Sequence, residues 1–321
     1  MKAAIGTPNG LELRDDVPQP KPKANEVLVK VRTAGLNRAD LSAARGTGGH
    51  GAVGATVGLE WSGEVVETGA EVKHVKAGDR VACSGNGGYA EYAVSDWGRV
   101  IKIPGNMDFD TAASLPIALY TMHNAVITAG RMQAGDSVLI QGASSGVGLM
   151  GLQIAKSKGA KLVIGSSTND ERRARLKDYG ADLAIDTRDE TWPDQVLKAT
   201  DGKGVDLIVD MVSGALVNPS LRATRILGRI VNVGRLGGQT GEFNFDTHAA
   251  RRIDYIGVTF RTRSIEEVRE IGKRAQADLW DALTAGEIKL PIDRTFKLDQ
   301  AVEAQAYMKA NKHFGKILLT M

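Results

Sequence analysis

A glycine-rich turn between an apolar strand and an apolar helix constrains the fold of this chain more than any other feature. Residues 137–142 (SVLIQG) predict a strand, the turn runs from Gly142 to Gly148, and the pattern of residues 147–158 predicts a helix. A cofactor pyrophosphate binds such a turn through backbone N–H groups and the positive helix end, provided that no side chain intervenes. The turn therefore predicts a dinucleotide site.

The turn itself is a degenerate form of the dinucleotide-binding motif. Gly146 and Gly148 allow a ligand to approach closely, whereas Ala143 and Ser145 stand where the motif usually has its first two glycines. The alternative is a strand-to-helix turn that binds nothing. The residues expected at the cofactor are Ala143, Ser144, Ser145, Gly146, Val147 and Gly148.

Strands and helices alternate along the chain after Pro104. A helix-like apolar pattern enters at Asp110 and spans residues 110–129. Besides 137–142, strands are predicted near 161–166, 183–185, 205–210, 229–233 and 254–258, and helices near 147–158, 170–179, 191–200 and 214–224. The strands are nearly continuous apolar runs, which is typical of a parallel sheet buried on both faces. Six of them with crossover helices predict an α/β fold with a doubly wound parallel sheet of the Rossmann type.

The two ends of the chain have a different pattern. Alternating residues at 27–32 (VLVKVR) and 89–94 (YAEYAV) predict a mainly β domain before Pro104. Near the C-terminus, Ser264 and Glu267 form a capping-box pattern before a long helix, Asp299 is a candidate cap for a helix at 300–310, and KILLT predicts a last strand. A six-stranded nucleotide sheet has no place for this tail, so we expect it to join the β domain. The predicted bounds are 1–117 and 260–321 for the substrate domain, and 118–259 for the dinucleotide-binding domain.

The second strand of the nucleotide unit ends without the acidic residue that would bind the 2′-hydroxyl of NAD. It ends in Ser166 and Ser167, and Arg172 and Arg173 follow in the next helix. Small hydroxyls and a guanidinium suit a 2′-phosphate, because arginine binds phosphate bidentately. These residues predict NADPH as the cofactor. The alternative is that both arginines are solvated and paired with nearby carboxylates.

Two further segments are candidates for cofactor contact. Gly234 and Arg235 follow the fifth strand, and loops at the carboxyl end of a doubly wound sheet face the ligand. Arg261 lies just beyond the last strand, where it either meets a cofactor phosphate or the acceptor, or is a surface charge.

The composition excludes several classes of function. Cys83 is the single cysteine, so no intrachain disulfide and no four-cysteine zinc site can form, and we interpret it as a core side chain. The net charge of +3 includes no basic run, and nucleic acid is therefore not expected as a partner. No apolar run reaches the roughly 18 residues of a membrane helix, and the N-terminus lacks a signal-peptide core. The sequence predicts a cytoplasmic protein.

A series of further motifs occurs in chain order. They are Gly35-Leu36-Asn37-Arg38-Ala39-Asp40, Gly58-Leu59-Glu60, Ala77-Gly78-Asp79-Arg80-Val81, Leu115-Pro116 with Thr121, the glycine turn, and His313-Phe314-Gly315-Lys316. Over nearly the whole length, the chain resembles the zinc-free quinone oxidoreductase group of the medium-chain dehydrogenases/reductases, which includes zeta-crystallin-like proteins. The resemblance implies a GroES-like catalytic domain, a homodimer, and hydride transfer from NADPH to a quinone or α,β-unsaturated carbonyl in the cleft between the domains.

The resemblance also implies that no catalytic zinc is bound. Zinc-dependent relatives have a cysteine where this chain has Asn37 and a histidine where it has Leu59. Asparagine and leucine cannot replace those ligands.

The same comparison implies candidate catalytic residues. Asn37 is the first candidate to donate a hydrogen bond to the acceptor carbonyl, and its alternative role is to cap the helix that begins near Arg38. Thr121 is expected beside the nicotinamide. Tyr120, next to it, is either a proton donor or a core side chain. Phe314 and Gly315 match the segment that approaches the cofactor in the family.

Two other functions stay open at this point. One is an enoyl-thioester reductase on the same scaffold. The other is a cofactor-binding protein with a structural, crystallin-like role, although scaffolding alone does not require an intact cofactor turn.

Overall fold

The computed structural model of the chain describes residues 1–47, 49 and 51–321. These residues form two compact units, and the chain passes from the first to the second and back. Met1–Ile117 and Arg261–Met321 form the first unit, and Ala118–Phe260 form the second.

The N-terminal part of the chain is mainly β. In chain order it contains β1 (Ala3–Thr7), β2 (Gly10–Arg14), β3 (Glu26–Gly35), α1 (Asp40–Ala43), β4 (Glu60–Thr68), β5 (Arg80–Ser84), β6 (Tyr92–Asp96), β7 (Val100–Lys102), α2 (Phe109–Ala113) and α3 (Pro116–His123). The second unit continues with β8 (Ser137–Ile140), α4 (Gly146–Ser157), β9 (Leu162–Ser166), α5 (Asp170–Ala174), β10 (Leu183–Ile185), α6 (Trp192–Ala199), β11 (Val205–Asp210), α7 (Val217–Ala223), β12 (Thr224–Asn232), α8 (Phe245–Arg251) and β13 (Asp254–Gly257). The C-terminal tail contains α9 (Ile265–Thr284), β14 (Ile292–Lys297), α10 (Ala301–Lys309) and β15 (Lys316–Thr320).

The second unit is built on a parallel sheet with the strand order β10-β9-β8-β11-β12-β13. The order reverses between β8 and β11, which makes this the point where ligands bind in doubly wound sheets. Leu139, Ile164, Ile208 and Ile230 lie in its core, each fully buried. Burial of each such side chain contributes about 1.5–3 kcal/mol, which explains why these strands are continuous apolar runs. The predicted α/β fold with a doubly wound parallel sheet is confirmed.

The first unit contains a sheet with the order β14-β15-β3-β4-β5-β7, and β6 pairs with β3. The tail supplies β14 and β15, and β15 pairs antiparallel with β3 through Leu318 and Gly35. The capping box of α9 is confirmed, because Ser264 Oγ accepts from Glu267 N while the Glu267 carboxylate accepts from Ser264 N. None of the described helices is long and apolar enough to span a bilayer.

The single helix predicted at 110–129 is wrong. The segment divides into α2, α3 and a π-helical turn at Asn124–Ala129. Pro116 is the physical reason, since proline lacks an N–H and disfavours the helical conformation at Leu115. Asp108, not Asp110, caps α2 by accepting from Thr111 N at 2.6 Å.

The predicted cap at Asp299 is also wrong. A 3₁₀ turn at Leu298–Gln300 precedes α10, so the N-cap position of α10 falls on Gln300. Asp299 lies within that turn, and its carboxylate instead pairs with Lys2 Nζ at 2.8 Å. Because the turn fixes the helix start after Asp299, the side chain is free to form this surface pair.

Candidate functional site

The glycine turn joins β8 to α4 at the carboxyl edge of the parallel sheet. Ser145 is the N-cap of α4, and its Oγ accepts from Gly148 N at 3.1 Å and donates to Gly142 O at 3.1 Å. The first N–H groups of a helix have no intrahelical acceptor, so the amides of Gly146 and Val147 stand at the positive end of α4. This arrangement can bind an anionic group, and the capping role explains a serine where the motif usually has glycine.

Gly148 is required by the packing of the turn on its own helix. A Cβ at this position would lie 2.6 Å from Ala143 Cα and 2.7 Å from Gly142 O, which are backbone atoms that cannot yield. Gly142 has a φ of +69°, a conformation that favours glycine. Both glycines therefore bring the strand, the turn and the helix into close contact.

The ends of β8 and β9 bring the predicted serines together. Gly142 N donates to Ser166 Oγ at 3.0 Å, and Ala143 N donates to Ser166 O at 2.8 Å. Ser167 Oγ donates to Ser144 Oγ at 3.1 Å. Two hydroxyls thus lie side by side next to the start of α4, where the adjacent strands place them.

The two arginines that follow β9 differ in their surroundings. Arg173 donates to Ser167 O at 3.0 Å and forms ion pairs with Asp186 at 3.1 Å and with Asp170 at 2.9 Å. The paired alternative is therefore confirmed for Arg173. Arg172 is half-buried in the first turn of α5, and its backbone N donates to the N-cap side chain of Asn169 at 2.9 Å.

Asp186, one of the two carboxylates that Arg173 pairs with, is held in its charged form. A hydrogen bond from Arg188 is the main cause, and it lowers the pKa of Asp186 to about 2. Asp186 is therefore charged at physiological pH, as its ion pair with Arg173 requires.

A buried polar network links the carboxyl ends of β11 and β12. The fully buried Asp210 carboxylate accepts from Val212 N at 2.8 Å and Ser213 N at 2.9 Å. Ser213 Oγ donates to Gly234 O at 2.8 Å and accepts from Asn232 Nδ2. Burial raises the pKa of Asp210 above its usual value, although the hydrogen bonds from Ser213 and Val212 oppose the shift.

The network determines where the predicted loop residues lie. Gly234 is half-buried and Arg235 is exposed at the end of β12. Sequence reasoning missed Asp210, Ser213 and Asn232. The available signal was the polar residues Asp210 and Asn232 at the carboxyl ends of β11 and β12.

The first unit contains a second buried polar cluster, centred on Glu60. Lys316 Nζ donates to Glu60 Oε1 at 2.5 Å, and the two side chains are 3% and 0% exposed. Glu60 Oε1 also accepts from Asn37 Nδ2 at 2.9 Å, and Glu60 Oε2 accepts from Ile117 N at 2.8 Å. Lys316 Nζ donates further to Asn37 Oδ1 at 3.1 Å and to Leu36 O at 2.9 Å.

This cluster defines the surroundings of Asn37. Its Nδ2 donates to Glu60 and its Oδ1 accepts from Lys316. The second hydrogen bond of Nδ2, to Gly35 O, is long at 3.4 Å. The alternative that Asn37 caps the next helix is wrong, because the N-cap of α1 is Ala39 and no side chain caps it. The physical reason is that the Asn37 amide forms hydrogen bonds with Glu60 and Lys316, the two members of the ion pair, instead of with the helix.

Asp40 and Tyr89 form hydrogen bonds that hold the segment from Asn37 to Asp40 in place. Asp40 Oδ2 accepts from Asn37 N at 2.7 Å and from Tyr89 OH at 2.7 Å, and both side chains are fully buried. Burial raises the pKa of Asp40 to about 7, against the opposing effect of these hydrogen bonds. Burial and the Asp40 carboxylate together raise the pKa of Tyr89.

Sequence reasoning assigned no role to Glu60, Lys316 or Tyr89. The available signal was the lysine at the start of the apolar strand β15. Cys83 lies in β5 with no exposure, and burial raises the pKa of its thiol, so its interpretation as a core side chain is confirmed.

The other predicted site residues are divided between the units. Tyr120 is 2% exposed and Thr121 is half-buried, and both belong to the second unit. Arg261, Phe314 and Gly315 belong to the first unit, together with Asn37. The positions that the second unit brings to one sheet edge are Ala143, Ser144, Ser145, Gly146, Val147, Gly148, Ser166, Ser167, Arg172, Gly234 and Arg235.

The C-terminal residues Phe314 and Gly315 have local structural roles. Phe314 is 3% exposed, and its backbone N donates to Asp293 at 3.0 Å. Gly315 has a φ of +89°, and a Cβ there would lie 2.3 Å from Pro291 O. Within residues 1–47, 49 and 51–321, no three His, Cys, Asp or Glu side chains form a group that could hold a metal ion.

Comparison with known proteins places this architecture in a family. The alcohol dehydrogenase GroES-like domain matches residues 23–105, and the zinc-binding dehydrogenase family matches residues 146–276. Human quinone oxidoreductase is 31% identical over 321 residues, which cover 99% of this chain and 95% of that protein.

Solved structures agree with this assignment. A quinone oxidoreductase from Pseudomonas syringae pv. Tomato DC3000 has a TM-score of 0.88 and 27% identity, and the match covers 100% of this chain and 99% of that one. A mycobacterial protein solved in complex with NADPH has a TM-score of 0.90 and 26% identity, with both chains covered completely. The resemblance inferred from the motifs is confirmed, and the chain belongs to the quinone oxidoreductase family of the medium-chain dehydrogenases/reductases.

Proposed function

We propose that the protein is an NADPH-dependent reductase that transfers hydride to a quinone or an α,β-unsaturated carbonyl without a metal ion. The observation that carries the proposal is the adjacency of the Ser144 and Ser167 hydroxyls at the ends of β8 and β9, beside the start of α4. Arg172 follows in α5, and no carboxylate ends β9. Hydroxyls and a guanidinium favour a 2′-phosphate over a bare ribose hydroxyl.

Different residues of the second unit would bind different parts of the cofactor. The amides of Gly146 and Val147 would bind the pyrophosphate at the positive end of α4. Ser144, Ser167 and Arg172 would bind the 2′-phosphate, and the cofactor would supply the hydride. The NADPH complex of the mycobacterial structure supports this assignment, since that protein is similar over its whole length.

The acceptor carbonyl requires a hydrogen-bond donor, because negative charge develops on its oxygen. Asn37 remains our candidate, since the second hydrogen bond of its Nδ2, to Gly35 O, is long at 3.4 Å. The ion pair of Lys316 and Glu60 fixes the amide, with Oδ1 toward the ammonium and Nδ2 toward the carboxylate. Thr121 is the candidate neighbour of the nicotinamide, and Tyr120 the candidate proton donor.

The chemistry around Asn37 supports a metal-free mechanism. Asn37 and Leu59 are poor zinc ligands, and the Glu60 carboxylate already binds the Lys316 ammonium. A second cation would be repelled by that ammonium. The zinc-binding dehydrogenase family matches only residues 146–276, which include neither Asn37 nor Leu59.

Turnover with a panel of acceptors tests the proposal. Purified protein is expected to oxidise NADPH in the presence of 1,4-naphthoquinone or a small enone, at the same rate with and without EDTA. Inactivity on the whole panel, or loss of rate on chelation, would contradict it. Crotonyl-CoA belongs in the panel, because preference for the thioester would favour an enoyl-thioester reductase, and NADPH binding without any turnover would favour a structural role.

Cofactor preference is tested by Arg172→Ala. A charge-assisted hydrogen bond contributes about 1.5–3 kcal/mol, so KM for NADPH should rise about 10- to 150-fold while KM for NADH stays unchanged. Arg175→Ala is the matched control, since Arg175 is an exposed arginine of the same segment and should leave both values unchanged. Equal KM values for NADPH in the Arg172 variant and the wild type would overturn the phosphate assignment.

We also propose a homodimer that forms along β13. This strand ends the parallel sheet, and its Tyr255 contacts the ring of Phe243, which in turn contacts the 76% exposed Phe245. Exposed apolar surface at a sheet edge favours association. Light scattering should give twice the chain mass, and Phe245→Asp should shift it toward the monomer; a monomeric wild type would contradict the proposal.

A further inference from the structure

Ser213 has a backbone conformation that L side chains rarely adopt. Its φ is +60° and its ψ is −149°, at the edge of a region that is essentially restricted to glycine. The residue is 7% exposed and follows β11 by three positions. A conformation of this kind persists only where the surrounding structure enforces it.

The surrounding contacts enforce it through both the backbone and the side chain. The Asp210 carboxylate holds Ser213 N at 2.9 Å, and the Ser213 hydroxyl donates to Gly234 O at 2.8 Å while accepting from Asn232 Nδ2. Ser213 also forms a parallel bridge with Gly238. The hydroxyl therefore ties the loop after β11 to the loop after β12.

The tied loops lie against the turn proposed to bind the pyrophosphate. A Cβ on Gly142 would lie 3.6 Å from Val212 Cγ2 and 3.7 Å from Met211 Cβ, so residues 211–212 pack directly on the start of that turn. β11 is the neighbour of β8 where the strand order reverses. A displacement of the loop after β11 would therefore reach the Gly142 turn.

We propose that Ser213 is a positioning residue for the cofactor: its hydroxyl fixes the loops after β11 and β12 in the geometry for binding, and the protein retains a strained backbone to place it there. The proposal rests on the proposed function, because it assumes that NADPH binds at this edge of the sheet. It assigns Ser213 no contact with the reacting atoms.

Two substitutions separate the hydroxyl from the strain. Ser213→Ala removes the hydroxyl and keeps a Cβ in the strained conformation. Ser213→Gly removes the hydroxyl and the Cβ, and with the Cβ the strain. Loss of a buried neutral hydrogen bond corresponds to about a fivefold change in an equilibrium constant. Both variants are therefore expected to weaken NADPH binding about fivefold, measured by titration of cofactor fluorescence.

Ser95→Ala is the matched control. Ser95 is also a buried serine, and its hydroxyl donates to the carbonyl of Ser84 at 2.8 Å in the first unit. This control loses a comparable hydrogen bond but should bind NADPH like the wild type. Wild-type affinity in Ser213→Ala, or an equal loss in Ser95→Ala, would overturn the positioning role.

Thermal unfolding of the cofactor-free variants tests the strain. At an ordinary position glycine is less stable than alanine, but at a positive φ the order reverses. Ser213→Gly should therefore melt above Ser213→Ala, and a lower melting temperature for the glycine variant would refute the strained geometry. Failure of the wild type to bind NADPH would instead overturn the proposed function and with it the positioning role.

Discussion

Replacement of Lys316 by methionine tests the buried ion pair of the first unit. The Lys316 ammonium is 3% exposed and donates to Glu60, Asn37 and Leu36, while Glu60 is fully buried. Methionine preserves most of the side-chain volume and removes the charge. Within the described part of the chain, the donors that then remain to the Glu60 carboxylate are the neutral groups Asn37 Nδ2 and Ile117 N.

The magnitude follows from the burial of both partners. Removal of one member of a buried ion pair typically costs about 3–5 kcal/mol, because the other charge remains without compensation. Glu60→Gln should destabilise the protein similarly, since it leaves the ammonium unpaired. The double variant removes both charges, and its loss should be smaller than the sum of the two single losses by at least about 2 kcal/mol.

Urea unfolding at pH 7, followed by circular dichroism, measures these differences. Lys2→Met is the matched control, because Lys2 also pairs with a carboxylate, that of Asp299, but these two side chains are 36% and 60% exposed. An exposed pair contributes little to stability. A loss for Lys316→Met no larger than that for Lys2→Met, or strict additivity in the double variant, would contradict an energetically coupled ion pair between Lys316 and Glu60.

Three further predictions concern single side chains. The folded protein keeps the Asp40 proton up to about pH 7, whereas the unfolded chain releases it near its ordinary pKa. The wild type should therefore lose stability relative to Asp40→Asn as pH rises from about 4 to 7, by up to about 1.4 kcal/mol per pH unit. Thermal melts of the two proteins that keep a constant difference over this pH range would contradict this prediction. Gly148→Ala should lower the stability of the protein by about 1–3 kcal/mol and weaken NADPH binding, because the new Cβ would lie 2.6 Å from Ala143 Cα. Gly105→Ala is the control: open space surrounds that position, so this variant should be neutral in the same melts and titrations. Ser145→Ala should cost about 1 kcal/mol through loss of the α4 cap and Ser145→Gly only a few tenths, and equal melting temperatures for the two variants would argue against the capping role.

The parallel sheet and its glycine turn were predictable because their signals are local. Apolar runs of strand length alternate with helical patterns, and Gly142 to Gly148 separates the first strand from its helix. The break in the helix predicted at 110–129 was also encoded locally, by Pro116, but the continuous apolar pattern concealed it. Capping by Ser264 was predictable for the same local reason.

The polar networks were not predictable from the sequence. Lys316 and Glu60 are 256 positions apart, and only the pairing of β15 with β3 and of β3 with β4 brings them together. Sequence reasoning accordingly gave Asn37 a role as a donor or a helix cap without its ion-paired partners. Such contacts depend on tertiary register, which residue spacing does not encode.

Ser213 illustrates a second limit. Its positive φ follows from the Asp210 carboxylate and from the loop that crosses after β12, and nothing in the local sequence indicates a glycine-like conformation. The start of α2 differs less from its prediction: the apolar pattern enters at Asp110, whereas the side chain of Asp108, two residues earlier, caps the helix.

A crystal structure with NADPH bound would show whether the carboxyl edge of the parallel sheet binds the cofactor through its 2′-phosphate. We expect the 2′-phosphate within hydrogen-bond distance of Ser144, Ser167 and Arg172, and the pyrophosphate at the amides of Gly146 and Val147. A 2′-phosphate that projects into solvent away from these side chains, or a cofactor bound elsewhere on the chain, would contradict it.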